Sequence, residues 1–324
     1  MTSSNLLSQI RDAQSAWETI LSECIDSSVF LTPEWQQAWW SEFGKGDALH
    51  LVMLKVHNRA LGLAPLCISQ QTISFVGDTD LFDYHDFIVR EEDSEAFYPA
   101  LVDYLQDQPW AKMVLTSLKE DSKALEYLPK LYRGLGYSVS VEEEDLVPGM
   151  SLPLTWEEYL SSLRKKDRHE LKRKFRRLDE YGSYRVLREY DVELSESIDT
   201  FLSLMEESKE EKRAFLNTQR ENFFREIVHT MHQIGSLRLF FLELDGAIVA
   251  GVLCFDYAGR RFLYNSGYRL AQASNSVGLL LKALCIRDAI ENGLTYFDFL
   301  RGSEQYKYHL GAQTYNLYSL VVNR

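Results

Sequence analysis

The chain has 324 residues, 45% of them hydrophobic, with 48 acidic against 35 basic side chains and a net charge of -13. That length suits one large domain or two of about 150 residues, and it buries a sizeable core without disulfide or metal staples. The acidic balance argues against generic binding to nucleic acid or anionic membranes, and 17 Gly with 7 Pro exclude linker-rich or collagen-like architectures.

The four cysteines, Cys24, Cys67, Cys254 and Cys285, form no CxxC pair, and three lie in apolar runs, so they read as reduced core residues. Residues 1–20 lack the basic start and apolar centre of a secretory signal. The longest strongly apolar run, Ala247 to Phe255, is about half of a bilayer span. The expectation is a cytoplasmic protein.

In chain order, a helix is expected over Thr32 to Phe43, with Thr32 as cap, Pro33 at the first helical position and Trp35, Trp39 and Trp40 facing a core. Leu49 to Val56 and Leu61 to Ser69 flank a polar connection and predict a hairpin. A strand over Thr72 to Val76 leads into Asp83-Tyr84-His85-Asp86, two carboxylates around a tyrosine and a histidine, bounded by apolar residues on both sides. A helix over Ser94 to Gln106, a strand over Lys112 to Ser117, a helix over Asp121 to Arg133 and a strand over Tyr137 to Val141 follow. The acidic stretch Glu142 to Asp145, with Pro148-Gly149 after it, marks the expected boundary between domains 1–149 and 150–324.

After a strand over Met150 to Leu154, Thr155 caps a helix that turns strongly basic: 164–177 holds nine Lys or Arg and two acids. Only Leu163, Leu171, Phe175 and Leu178 give it an apolar stripe, so it cannot be fully buried. It reads as a solvated helix, or as a contact for a phosphorylated acceptor, an anionic membrane or nucleic acid, with Arg168 as a candidate substrate contact. A strand over Ser183 to Asp191 and helices over Ser195 to Glu211 and Gln219 to Ile234 come next. Leu237 to Leu244 and Ala247 to Tyr257 flank Asp245-Gly246, the dipeptide a type I′ turn requires. A strand over Arg260 to Tyr268, a polar loop, a helix over Val277 to Asn292, a strand over Leu294 to Leu300, the segment Ser303 to Gly311 and a strand over Thr314 to Val322 complete the chain.

Several chemistries are absent from this pattern. His229 and His232 lack a third ligand signature, so no metal site is expected. There is no GxSxG, HExxH or GxxxxGK[ST], and Gly134-x-Gly136 lacks the third glycine of a dinucleotide loop.

The order of elements in the second half resembles the GNAT acyltransferase fold. Arg164 to Leu178, the loop from Asn265-Ser266-Gly267-Tyr268 through Ser276-Val277-Gly278, and above all Tyr296-Phe297-Asp298-Phe299-Leu300-Arg301-Gly302-Ser303-Glu304-Gln305-Tyr306-Lys307-Tyr308 are similar to the CelD/Fem-like branch of that superfamily. Asp83 to Asp86 matches an N-terminal aspartate-tyrosine motif of such proteins. The resemblance implies an α/β fold of two GNAT-like domains, each a mostly antiparallel mixed sheet flanked by helices, the first a degenerate copy, with an acceptor held between them. It implies an acyl-CoA-dependent N- or O-acyltransferase that takes acetyl-CoA or another acyl-CoA as co-substrate, with no permanently bound cofactor. The implied acceptor is an amino sugar, a nucleotide sugar or a cell-envelope precursor. Two alternatives stand beside it: aminoacyl transfer from charged transfer RNA, the one nucleic acid to test, and a non-catalytic binding protein on a decayed fold. Helix 164–177 is a candidate for peripheral membrane contact.

Under this reading Gly267, Tyr268, Ser274, Asn275, Ser276, Val277 and Gly278 hold the donor, because unpaired N–H groups at a helix start favour a pyrophosphate. The plain alternative is a capped core helix, and the loop differs from the Gln/Arg-x-x-Gly-x-Gly/Ala of ordinary GNAT enzymes. Asp298 is the expected general base or an acceptor-binding carboxylate, or else a carboxylate paired to Arg301. Arg301 and Lys307 would hold a carboxylate or phosphate of the acceptor, or else pair with Glu304. Tyr306 would protonate the departing thiolate, or simply pack in the core. Asp83, Tyr84, His85 and Asp86 are candidate acceptor contacts or a structural cluster.

Overall fold

The structure, a computed structural model, describes residues 2–7, 10–24, 27–44, 48–181, 183–189 and 193–324. The chain divides into two packed units, Met1–Leu146 with Tyr315–Arg324, and Val147–Thr314. Its elements are β1 (Thr2–Leu7), α1 (Gln14–Glu23), α2 (Pro33–Phe43), β2 (Ala48–Val56), β3 (Arg59–Ser69), β4 (Thr72–Phe75), β5 (Ile88–Val89), α3 (Ser94–Gln106), β6 (Lys112–Lys119), α4 (Lys123–Gly134) and β7 (Ser138–Ser151). There follow α5 (Trp156–Ser162), α6 (Lys165–Tyr181), β8 (Tyr184–Arg188), α7 (Leu194–Ser208), α8 (Glu210–Phe215), α9 (Thr218–Gln233), β9 (Leu237–Leu244), β10 (Ala247–Tyr257) and β11 (Arg260–Tyr268). The chain ends with α10 (Val277–Glu291), β12 (Tyr296–Asp298), α11 (Gln305–His309) and β13 (Gln313–Asn323). Each unit is a mostly antiparallel mixed sheet flanked by helices.

In the first unit the strand order is β1-β2-β3-β4-β6-β13-β7, with β5 beside β3. A parallel ladder joins β4 to β6 through two pairs, Thr72↔Lys112 and Ile73↔Met113. Past that point the segment carrying His85 runs between the strand ends. The backbone N–H of His85 donates to Ser117 O at 3.1 Å, and a Cβ on Gly77 would lie 2.6 Å from His85 Nε2. The imidazole is stacked between Phe75 and Phe82, with ring centroids at 5.4 and 4.8 Å. Aromatic packing thus fills the wedge that parting strands would otherwise leave open. On the neighbouring face Phe97, Leu101 and Leu105 of α3 and Leu128 of α4 pack over Val52, Leu66 and Leu115.

In the second unit the order is β7-β12-β11-β10-β9-β8, antiparallel except for β11 and β12. Positive φ at Asp245 and Gly246 (49° and 82°) gives the β9–β10 hairpin its expected turn. Leu280, Leu281, Ala283 and Ile286 of α10 fill the core with Val252, Leu263 and Phe297. The expected apolar stripe of the basic helix joins them: Leu163, Leu171 and Leu178 are buried and Phe175 packs alongside.

Four expectations are corrected. The acidic stretch Glu142 to Asp145 does not separate two strands but is the middle of one, β7; the carboxylate of Glu144 accepts the Ser117 N–H at 2.7 Å, which gives that charge a partner in the sheet. The basic helix is not continuous with the one Thr155 caps, because Leu163 is extended (ψ 146°) and buries its side chain at the break. The helix from Ser195 likewise stops at Ser208, with extended Lys209 starting α8. Tyr315–Arg324, assigned by the sequence to the second domain, packs in the first unit, where β13 pairs with β6 from Leu317↔Lys119 to Asn323↔Lys112. Sequence reading also missed β1 and α1, although Trp17, Ile20 and Leu21 carry a buried helical spacing. Of the strand expected over Ser183 to Asp191, residues 190–191 lie outside the described residues. Among the described residues no helix is long and apolar enough to cross a membrane, and no group of three or more His, Cys, Asp or Glu is placed to hold a metal ion.

Candidate active site

The site of interest in the second unit starts where its two parallel strands part. β11 and β12 pair only at Arg260↔Tyr296, Arg261↔Phe297 and Phe262↔Asp298. β11 runs on to Tyr268, with a bulge at Tyr264 where its register against β10 slips between Leu253 and Cys254. The chain after β12 turns away sharply. Asp298 Oδ1 accepts the N–H of Leu300 at 2.9 Å, and Leu300 adopts a left-handed φ of 58°. Buried Lys307 reaches back into the same turn, donating to the carbonyls of Leu300, Arg301 and Gly302 at 2.9, 2.7 and 3.0 Å and pairing with Glu304 at 2.9 Å. Lys307, expected to hold an acceptor anion, therefore has its N–H groups engaged inside the chain. Asp298 is buried, as are Phe297 and Phe299 on either side of it.

The second component is the start of α10. Ser276 sits at a left-handed φ of 57°, and its side chain caps no N–H of the helix. The first-turn amides therefore point outward without an intrahelical acceptor. The Ser276 hydroxyl instead accepts the Lys174 ammonium of α6 at 2.6 Å, and Lys174, Arg177 and Leu178 line a narrow crevice with Ser274, Asn275 and Ser276. Asn275 is fixed by donating to Gln272 Oε1 at 2.7 Å. Gly278 keeps the first turn open, since a Cβ there would stand 3.2 Å from the Tyr268 ring and 3.8 Å from Lys282 Nζ. Tyr268, Ser274, Asn275, Ser276 and Gly278 are thus brought together, and Val277 is fully buried beneath them. Gly267 has a different task. A Cβ on it would sit 2.3 Å from the backbone of Leu204 and Met205, so its missing side chain lets α7 lie against β11.

Two lysines that sequence reading missed complete the site. Lys282 is buried in α10; its ammonium donates to Gly278 O at 3.3 Å and lies 4.8 Å over the Tyr306 ring, and burial lowers its pKa to about 8. Lys212 of α8 donates to Asn265 Oδ1 at 2.8 Å and to the Ser266 carbonyl, just beyond the bulge in β11. Burial first, then the like charges of Lys282 and Lys209, bring Lys212 down to about 7, opposed only by Glu304. Burial pushes the Tyr306 phenol well above its usual value, so it stays protonated. A sequence signal for Lys282 exists: it is the one charge in Val-Gly-Leu-Leu-Leu-Lys-Ala-Leu-Cys-Ile. Lys212 has none, because it lies in an ordinary charged run.

The remaining candidates are placed elsewhere. Arg168 donates to Ser161 O at 3.0 Å, tying α6 to α5. Arg301 is half-buried in the turn after β12. Asp83, Tyr84, His85 and Asp86 belong to the first unit. At the far end of β11 lies a network no motif announces. Arg261, fully buried, forks onto Asp256 at 2.7 and 2.9 Å and also donates to Asp288 Oδ2 at 2.8 Å and Cys285 O at 2.9 Å. It anchors the last turns of α10 to β10 and β11.

Residues 165–308 match the family model of the acetyltransferase (GNAT) domain. The match lies in the second unit and spans less than half of the chain. On this match the chain is an enzyme of acyltransferase type, and the parted strands and open helix start described above lie within the GNAT domain. Across nearly the whole chain the fold is similar to the crystal structure of FemX, with a TM-score of 0.66 at 13% identity over 94% of this chain and 95% of that one. It is also similar to the C-terminal domain of a putative lysylphosphatidylglycerol synthetase from Agrobacterium fabrum, with a TM-score of 0.62 at 9% identity over 98% and 92%. A tandem GNAT protein from the clavulanic acid biosynthesis pathway aligns with a TM-score of 0.53 at 10% identity over 99% and 98%. No curated protein is a significant match in sequence.

Proposed function

We propose that this enzyme transfers an acyl group from acyl-CoA to an amine or hydroxyl of an acceptor, with the donor pyrophosphate on the start of α10. The observation that carries the reading is the uncapped α10 start, with Lys174 on the Ser276 hydroxyl and Arg177 in the same crevice. Outward amides, the helix dipole and two cations together suit a pyrophosphate. The pantetheine arm would enter between the parted β11 and β12, and the thioester carbonyl would meet backbone amides near the bulge. In this reading Lys212 takes the proton. As a neutral amine it donates two hydrogens to Asn265 and Ser266, and its lone pair is left to accept one from the attacking acceptor. Tyr306 then protonates the departing thiolate. Asp298 and Lys307 shape the turn that closes this space.

The family resemblance supports an amino sugar, a nucleotide sugar or a cell-envelope precursor as acceptor. A second reading, aminoacyl transfer from charged transfer RNA, is favoured by the exposed Lys165, Lys166, Lys172, Arg173 and Arg176 of α6. A thermal-shift series with CoA, acetyl-CoA and longer acyl-CoAs separates the two. At about a hundredfold over its dissociation constant the donor adds roughly 2.7 kcal/mol to stability. A shift that Gly278→Glu abolishes supports the acyl-CoA site. No shift with any thioester, together with steeply salt-dependent binding of transfer RNA, would replace it with the second reading.

A further inference from the structure

The first unit holds a cavity of about 280 Å³, outside the GNAT domain. Leu21 of α1, Cys24 just after it, Leu31, Phe87 and Val89 form its apolar wall, and Asp86, Tyr98, Lys119, Asp121, Ser122 and Ser27 supply its polar groups. Its size lies just below the roughly 300 Å³ at which drug-sized ligand sites begin, which suits a smaller molecule.

Two of these groups are poorly accounted for by the fold. The side chain of Tyr98 is fully buried, yet among the described residues its hydroxyl has no hydrogen-bond partner. A buried hydroxyl left so is costly, and native structures rarely tolerate it without a ligand or water. Asp86 accepts the N–H of Phe87 at 2.8 Å and a bond from Ser122, and among the described residues no cation is hydrogen-bonded to its carboxylate.

The charges around the cavity decide what it would take. Lys123 is already shared between Glu91 at 3.4 Å and Glu126 at 3.3 Å. Lys119 spreads its ammonium over the Tyr84 ring, 4.8 Å from the centroid. The Cys24 thiol, pushed up to about 11 by burial, is neutral and donates to the Ile20 and Val89 carbonyls at 3.3 Å. Among the described residues that line the cavity, Lys119 is therefore the cation left to face Asp86 and Asp121. Its hydroxyls, Tyr98, Ser122 and Ser27, have oxygens able to accept further hydrogen bonds.

We propose that this cavity binds a small ligand bearing a protonated primary amine, its ammonium placed between the Asp86 carboxylate and the Tyr98 hydroxyl, its carbon skeleton against Leu21, Leu31 and Phe87. The proposal is independent of the donor site on α10, because it concerns binding in the first unit alone.

Isothermal titration of the full chain with glucosamine and ethanolamine, against glucose and ethylene glycol as neutral counterparts, tests it. The amines bind saturably in the millimolar range or tighter and the neutral partners at least tenfold more weakly. Asp86→Asn, which keeps the shape, loses amine binding by tenfold or more, and Tyr98→Phe weakens it severalfold. Binding also fades as pH falls through about 6, where burial has raised Asp86 and the carboxylate takes a proton; Lys119 opposes that shift, while Asp121 adds to it. Equal binding of the neutral partners, unchanged binding by a folded Asp86→Asn protein, or no heat with either amine would each overturn the proposal. Thermal unfolding of both variants verifies that they are folded.

Discussion

The Lys282 ammonium lies 4.8 Å over the face of Tyr306 and reaches back to the Gly278 carbonyl in the first turn of its own helix. A buried cation is thereby held beside the one helix start in the GNAT domain that is uncapped and flanked by Lys174 and Arg177. Burial lowers Lys282 from 10.5 to about 8. Below pH 8 the lysine is charged in both native and unfolded states, and the native state carries the whole desolvation penalty. Between pH 8 and 10.5 the native state sheds its proton first, so stability rises with pH. Lys282→Met should therefore gain on the order of 2 kcal/mol at pH 7 in urea unfolding, with the gain gone by about pH 10.5. CoA affinity should fall at least tenfold in the same variant. A loss of stability at pH 7 would mean that its contacts outweigh its burial.

Lys212, brought to about 7 by burial and by Lys282 and Lys209, should set the acidic limb of the rate profile. Its neutral form is the base, so kcat/KM is expected to rise with pH through about 7. Lys212→Met should lower kcat by roughly 10²- to 10⁴-fold and remove that limb. A limb that persists unchanged in the variant would place the proton elsewhere.

Asp298→Asn keeps an oxygen for the Leu300 N–H. Activity should fall less than about tenfold, whereas loss of a general base typically costs 10² or more. A loss of that size would restore Asp298 as the base.

Gly267→Ala would place a methyl group 2.3 Å from the backbone of Leu204 and Met205. Backbone cannot rotate aside as a side chain can, so a cost of about 3 kcal/mol or more is expected, seen as a drop in the denaturation midpoint. Gly278→Ala, whose Cβ would meet the Tyr268 ring at 3.2 Å and Lys282 Nζ at 3.8 Å, both side-chain atoms, should cost far less.

Arg261→Met leaves Asp256 without its fork and Asp288 without one of its cations at the base of β11. Stripping one partner from a buried charge network typically costs about 3 to 5 kcal/mol. The double variant that also changes Asp256 to Asn should recover part of the loss, and strict additivity of the two would show that the pair is not coupled.

Much of the fold was written locally. The Asp245-Gly246 hairpin, the Thr32-Pro33 helix start, the apolar stripe of the basic helix and the run of strands and helices from Leu237 to Asn292 all follow from turn chemistry and periodicity, which depend on near neighbours. The loop Ser274 to Gly278 was legible for the same reason. The acidic middle of β7 was not, because Glu144 finds its partner in Ser117, far away in sequence.

What the sequence by itself determined is the class of fold, the second-half order of elements and the residues around the α10 start, all of them carried by local pattern and motif. The tertiary structure alone decided which side chains do which work. Lys212 looks like any lysine in a charged run until burial beside β11 and the nearness of Lys282 change its proton affinity. Lys307 looks like a free cation until the turn after β12 folds three carbonyls around it. Burial and charge environment are properties of the packed chain, and no spacing in the sequence states them.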